Sequence, residues 1–230
     1  MPGQQQAPSS AIDQLAAIRG GDTKSIMIRL KVALQKNPER IPVANKQIGT
    51  LVKMEHETAQ LRKNIKQYQS NLAYAKGIIQ TGITQLEKAM KERDPYDPNP
   101  DRLLEINKLL QTRVPTFTSL GKDVETLIQK RNELTQAVEA FTQEKDKLSQ
   151  EIIEDIIANN PQKAKAKLEM LKVKQSTLEG QVDNLNTNES ALQRKLDDLH
   201  VEIAHRAKIS AGTSLEMPRQ TGVGVERGMR

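Results

Sequence analysis

Residues 168–203 read LEMLKVKQSTLEGQVDNLNTNESALQRKLDDLHVEI, and this stretch decides the fold of the chain. Leucines recur in it every seven residues, at Leu171, Leu178, Leu185, Leu192 and Leu199. The alternating spacing of three and four residues is completed by Leu168, Gln175, Val182, Glu189, Leu196 and Ile203. A helix with this spacing presents one narrow apolar stripe, which another helix has to cover. We therefore predict an all-α fold of long helices packed as bundles or antiparallel coiled-coil hairpins.

The stripe does not by itself identify the helix that covers it. Leucine at every second core position is typical of two-helix seams, whereas the polar residues Gln175 and Glu189 lower stability and select register. The flanking positions form no strong charge code. A homodimer, an intramolecular hairpin and a docking site for a helix of another protein are all compatible with the pattern.

Composition also favours long helices over a thick globular core. The chain of 230 residues contains no Trp, two Phe and three Tyr, and large aromatic side chains supply much of the buried area in compact cores. Gln, Lys, Glu, Leu, Ala and Ile are frequent instead, as in elongated helical proteins with polar outer faces. The formal net charge of +6 is spread over interleaved acids and bases, which indicates a solvated surface.

Several kinds of site are excluded or disfavoured by residue type. The chain has no Cys, so it can form neither a disulfide nor a thiolate metal site. It shows no apolar stretch long enough to span a bilayer and no secretory signal in residues 1–10. We therefore expect a cytoplasmic protein without direct membrane insertion, with possible association to a membrane complex.

The N-terminal part is predicted to contain two short helices and one long one. We expect a flexible N-terminus over residues 1–21, within which a short helix can run from Ser10 to Arg19. A second short helix would carry Ile26, Leu30 and Leu34 on one side and end near Pro38. A long helix then covers about 43–93, with its stripe at Leu61, Ile65, Tyr68, Leu72, Ala75, Ile79, Gly82 and Leu86. Gly77 and Gly82 weaken this helix unless a neighbouring backbone approaches closely.

The clearest break in the chain is the proline-rich linker 94–101. After it we predict a short helix with Leu103, Leu104, Ile106, Leu109 and Leu110 that ends before Pro115. A third long helix would follow over about 116–159, and Asn159-Asn160-Pro161 would start the last one. Here the chain either kinks or reverses into an antiparallel hairpin, and we favour the hairpin because it lets the two apolar stripes cover one another. These breaks divide the chain into a helical block 22–93, the linker 94–101, a coiled-coil hairpin 102–209 and a disordered tail 210–230.

No motif indicates catalysis, a cofactor or a metal site. Glu202 and His205 have a Glu-x-x-His spacing, but di-iron bundles need two such motifs and further glutamates. Lys163, Lys165 and Lys167 precede the leucines, yet the continuous Arg-rich helix of a basic zipper is missing. Nucleic acid is therefore an unlikely partner, and no enzymatic activity or small-molecule substrate is expected.

The predicted contact residues for other proteins are the leucine seam and one short helix. They comprise Leu171, Leu178, Val182, Leu185, Leu192, Leu196, Leu199 and Ile203, with Leu103, Leu104 and Leu110. Short helices such as those around Ile26 and Leu103 are unstable alone in water, so each has to pack on the long helices or on a partner.

In length, helical character and lack of cysteine, the whole chain resembles the DotY-like accessory subunits of the type IVB (Dot/Icm) secretion coupling complex. The resemblance lies in general character and transfers no functional residue. It implies a cytoplasmic subunit docked on an inner-membrane ATPase complex that recruits effector proteins. Our functional hypothesis is accordingly a non-enzymatic adaptor or structural subunit of a larger assembly. The alternatives are a nucleic-acid-associated coiled coil and a secreted bacterial effector.

Overall fold

The computed structural model describes residues 10–20, 23–91, 96 and 100–209, without side-chain environments for 89, 102 and 200–209. Its elements are α1 (Ala11–Arg19), α2 (Lys24–Lys36), a 3₁₀ turn (Pro38–Arg40), α3 (Ile41–Lys91), α4 (Pro100–Ile157) and α5 (Pro161–Ile209). The described residues contain no strand, so the predicted all-α helical bundle is confirmed. Two compact units are present, residues 1–192 and residues 193–230, and α5 runs across their boundary.

Helices α3 and α4 form the closest pair in the first unit and run antiparallel. Glu55 lies level with Lys145, and Gly82 lies level with Phe117. Gly82 permits the close approach, because a Cβ atom at this position would lie only 2.4 Å from the Phe117 ring. At Gly77, by contrast, no atom lies within 4 Å of where a Cβ would stand. Of the two glycines that the sequence singled out, only Gly82 has a packing role here.

Within the first unit, helix α5 lies beside α3 and α4, as the contacts of Gln175 with Glu57 and of Lys174 with Glu144 show. The chain reverses at 158–160, where Asn159 adopts a positive φ of 62° and the Asn160 N–H donates to the Asp155 carbonyl at 2.7 Å. The reversal matches the hairpin favoured from Asn159-Asn160-Pro161. In the first unit, α5 therefore runs antiparallel to α4, and Lys167 pairs with Glu151 at 3.0 Å. The backbones of α3 and α4 approach each other more closely than either approaches that of α5.

Helices α1 and α2 cover α3 and α4 near the start of α3. Helix α1 packs mainly on α3 and α2 mainly on α4. At this level the long helices are buried on two sides, as the adjacent buried pairs Leu51–Val52 and Ile152–Ile153 show. The short helices contribute Ile12 and Leu15 from α1, and Met27, Leu30 and Leu34 from α2. Segment 1–21, expected to be flexible, thus includes a packed helix, because Ile12 and Leu15 have an apolar surface to cover.

The predicted helix break before Pro115 is wrong, because α4 continues through this proline. Pro115 has no N–H to donate to the carbonyl of Gln111, which should disfavour an interior position. Both residues lie on the exposed side of α4, so water can reach the carbonyl left without its helical partner.

Helices α3 and α4, on either side of the predicted linker, pack against each other. Pro100 and Asp101, which the sequence placed in the linker, already belong to the first turn of α4, where proline is tolerated. The tail 210–230 lies outside the described residues.

Candidate interaction surface

The predicted contact residues on the leucine seam are core residues of this chain. Leu171 is fully buried and Leu185 is 2% exposed. The same holds for Leu178, Val182, Leu192, Leu196 and Leu199 on α5 and for Leu110 on α4. Because these side chains are buried in the single chain, the interpretation of the seam as an intermolecular surface stays a prediction.

The remaining predicted contact residues differ in their exposure to solvent. Leu103 is half-buried, whereas Leu104 is 68% exposed and stays available to solvent. The side chain of Ile203 lies outside the described residues. The structure therefore leaves Leu104 as the one exposed member of the predicted set among the described side chains.

The polar residues of the seam are accommodated by neighbouring helices. Gln175 is buried, and its side-chain amide donates to Glu57 of α3 at 2.6 Å and to Glu179 at 3.0 Å. Glu189, two heptads further along α5, is half-buried. The interruption of the apolar stripe at Gln175 is thus a polar contact between α5 and α3.

A buried ion network fastens α1 to the long helices. The Arg19 guanidinium contacts Glu55 at 2.6 Å and Asp146 at 2.9 Å, and Glu55 also accepts from Lys145. Lys145 lies on the core side of α4, and its side chain is only 2% exposed. Burial by itself would raise the pKa of Glu55, but the hydrogen bonds from Lys145 and Arg19 outweigh burial and lower it.

A cavity of about 460 Å³ lies beside this network. The hydroxyls of Thr58 and Thr142, which line it, donate to carbonyls of their own helices, both at 2.7 Å. Its two carboxylates, Glu55 and Asp146, are both ion-paired. Arg19, Glu55, Lys145 and Asp146 therefore hold helices together, and no uncommitted acid is left among the lining residues.

The outer face of α2 exposes apolar side chains in a regular arrangement. Ile28 is 63% exposed and Val32 is 44% exposed, and they lie one helical turn apart. Lys24 precedes them by one turn and Lys36 follows by one turn, and neither lysine has an ion pair or hydrogen bond in the described chain. We call Lys24, Ile28, Val32 and Lys36 the α2 face.

The sequence pointed to this helix but not to this face. The consecutive apolar residues Ile26, Met27 and Ile28 are compatible with several orientations of α2 about its axis. The spacing of Ile26, Leu30 and Leu34 predicts that Ile26 lies on the inner side. In the structure Met27 is buried and Ile26 is half-buried, which turns Ile28 outward. The four-residue spacing from Lys24 to Lys36 was the available signal.

Two further properties of the described residues bear on function. Among them, no helix combines the length and hydropathy that crossing a bilayer requires. Nor do any three of their His, Asp or Glu side chains come together in a group that could hold a metal ion. No family model, curated protein or solved structure matches the chain.

Proposed function

We propose that this protein is a non-enzymatic adaptor or structural subunit of a larger protein assembly. The observation that carries the proposal is the α2 face, where Ile28 and Val32 form an exposed apolar pair between two lysines. Single exposed apolar residues are ordinary on protein surfaces. Two of them on one stripe of a short helix match the anchors of helix-in-groove recognition.

The inner side of α2 is held firmly, so its outer face is presented in a fixed orientation. Leu30 is fully buried, and Arg29 makes a bidentate contact with Glu154 of α4 at 2.6 and 2.9 Å. A surface ordered before binding loses less conformational entropy when a partner docks. This favours α2 as a docking element of a preformed bundle.

The chemistry of α2 also indicates the chemistry of its partner. The helix contains no acidic residue, and of its four basic residues Arg29 pairs with Glu154 and Lys31 with Asp13, which leaves Lys24 and Lys36 for a partner. A complementary surface would have an apolar centre with carboxylates around it. The resemblance noted above implies a coupling complex of a type IVB secretion system as the assembly, with a cytoplasmic location for this subunit and a role in protein transport.

The proposal is tested by affinity purification of the tagged protein from its native cells after nuclease treatment. We expect partners in a fixed ratio with the wild-type protein, and at least tenfold less of them with the double substitution Ile28→Glu/Val32→Glu. The reason is that burial of each apolar side chain contributes roughly 1.5–3 kcal/mol.

The matched control is Val173→Glu, which changes a 67% exposed valine on α5 and should leave the partners bound. Circular dichroism verifies that each variant folds. Purification of the wild-type protein alone, or retention of every partner by the double variant, would contradict the proposal.

A further inference from the structure

The middle of α3 carries cations that have no partner within the described chain. From Thr58 to Leu86 the helix contains no Asp or Glu. Four basic side chains are exposed there: Arg62, Lys63, Lys66 and Lys76. No ion pair or hydrogen bond of the described residues engages any of them. We call these four residues the α3 cations.

On the side of α3 away from the core, exposed residues spaced by three and four positions form a second stripe. The stripe consists of Lys63, Lys66, Ser70, Tyr74 and Gly77, all of them exposed. Tyr74 is 43% exposed and supplies an apolar centre, and the space beside Gly77 is open. At 1.5 Å per residue the stripe is about 21 Å long. Lys63 and Lys66 lie on this stripe, and Arg62 and Lys76 lie on the flank next to Lys66.

Helix α4 carries acids at the level of the α3 cations. The pairing of Glu55 with Lys145 brings the exposed Glu133 and Glu139 to this level. Neither acid pairs with an α3 cation in the described chain, so the cations stay available to an acidic partner.

We infer that the outer stripe of α3 docks an acidic helix of a partner protein. Carboxylates spaced along such a helix would meet the α3 cations, and its apolar residues would contact Tyr74. The exposed ring of Tyr74 among the cations favours a partner that combines carboxylates with apolar residues, and duplex binding by the same lysines is the competing outcome of the test below. The inference rests on the proposed adaptor function and adds a second contact surface, distinct from the α2 face.

The test uses the full-length protein and a synthetic peptide of three Glu-Ala-Ala-Leu-Glu-Ala-Glu repeats, with binding measured by fluorescence anisotropy. We expect binding that weakens as salt is added, because exposed charges are screened. The triple substitution Lys63→Glu/Lys66→Glu/Lys76→Glu should reduce the affinity at least tenfold. Replacement of the same lysines by arginine should preserve it.

The matched control reverses three exposed lysines elsewhere, Lys147, Lys163 and Lys165, and changes the net charge equally. An equal loss in this control would show that only bulk charge matters and would overturn the inference. So would absence of peptide binding, or tighter binding of a DNA duplex through the same lysines. Because Ile28→Glu/Val32→Glu should leave peptide binding intact, failure here is distinguishable from failure of the proposed function.

Discussion

At the residue scale, the two glycines of α3 are a matched pair with opposite expected effects. Substitution Gly82→Ala should lower the free energy of unfolding by about 1–3 kcal/mol, since the new methyl group would collide with the buried Phe117 ring. Substitution Gly77→Ala should raise it by roughly 0.5–1 kcal/mol, because helix propensity improves and no atom is in the way. Urea unfolding of both variants checks the pair, and equal effects of the same sign would contradict this packing.

Residues that depart from a pattern mark the limit of what the sequence predicts. Periodicity placed the α3 stripe from Leu61 to Leu86 correctly, and all of its members are buried. On α4, position 145 continues the spacing of Val138 and Phe141, but this spacing does not indicate how a lysine there is accommodated. Its partner Glu55 is 90 residues away in sequence, and local spacing carries no information about such a contact.

At the element scale, the attachment of α1 should depend on pH through Glu55. Its pKa is lowered in the folded state, so the resulting stabilisation is present above the ordinary value of 4.5 and is lost as the pH falls through the folded-state pKa. Substitution Glu55→Gln removes the partner of a buried lysine and should cost about 3 kcal/mol at neutral pH. The difference from wild type should shrink below pH 4.5, as measured by urea unfolding across pH. A difference that does not change with pH would contradict this role.

Element boundaries were predictable where a residue acts through its own backbone. Gly20, with a φ of 68°, ends α1, and Asn159 reverses the chain before α5, as their residue types indicate. Pro115 was misinterpreted because its effect depends on which side of α4 faces water. That orientation is set by the packing of α4 on α3, and packing partners do not appear in the local sequence.

At the scale of the whole molecule, burial of the leucine seam within one chain predicts a monomer. The solution mass should be 25.8 kDa by light scattering. The thermal unfolding midpoint should also be independent of protein concentration, since no subunit dissociates on unfolding. A doubled mass, or a midpoint that rises with concentration, would instead support the homodimer that the heptads alone allow.

The candidate surfaces were less predictable than the fold. A regular apolar stripe looks the same in sequence whether it is covered within the chain or by another protein, so the sequence alone does not distinguish a hairpin from a homodimer or a docking site. The α2 face can be identified with certainty once Met27 and Leu30 are known to be buried, because this orientation of α2 exposes Ile28. The spacing of apolar residues predicts the fold class. Which residues stay exposed as a contact surface depends on how the helices pack, and the local sequence does not show this.

The contact between Gln175 and Glu57 has a consequence for how α5 finds its place. Leucines repeated every seven residues would let this helix slide by one heptad and still match leucine to the same apolar groove. After such a slip, Val182 or Leu168 would face the Glu57 carboxylate, and the Gln175 amide would keep Glu179 of its own helix but lose its acceptor on α3. The hydrogen bond between Gln175 and Glu57 thus gives the native alignment a lower energy than the shifted ones. A repetitive sequence therefore adopts a single alignment.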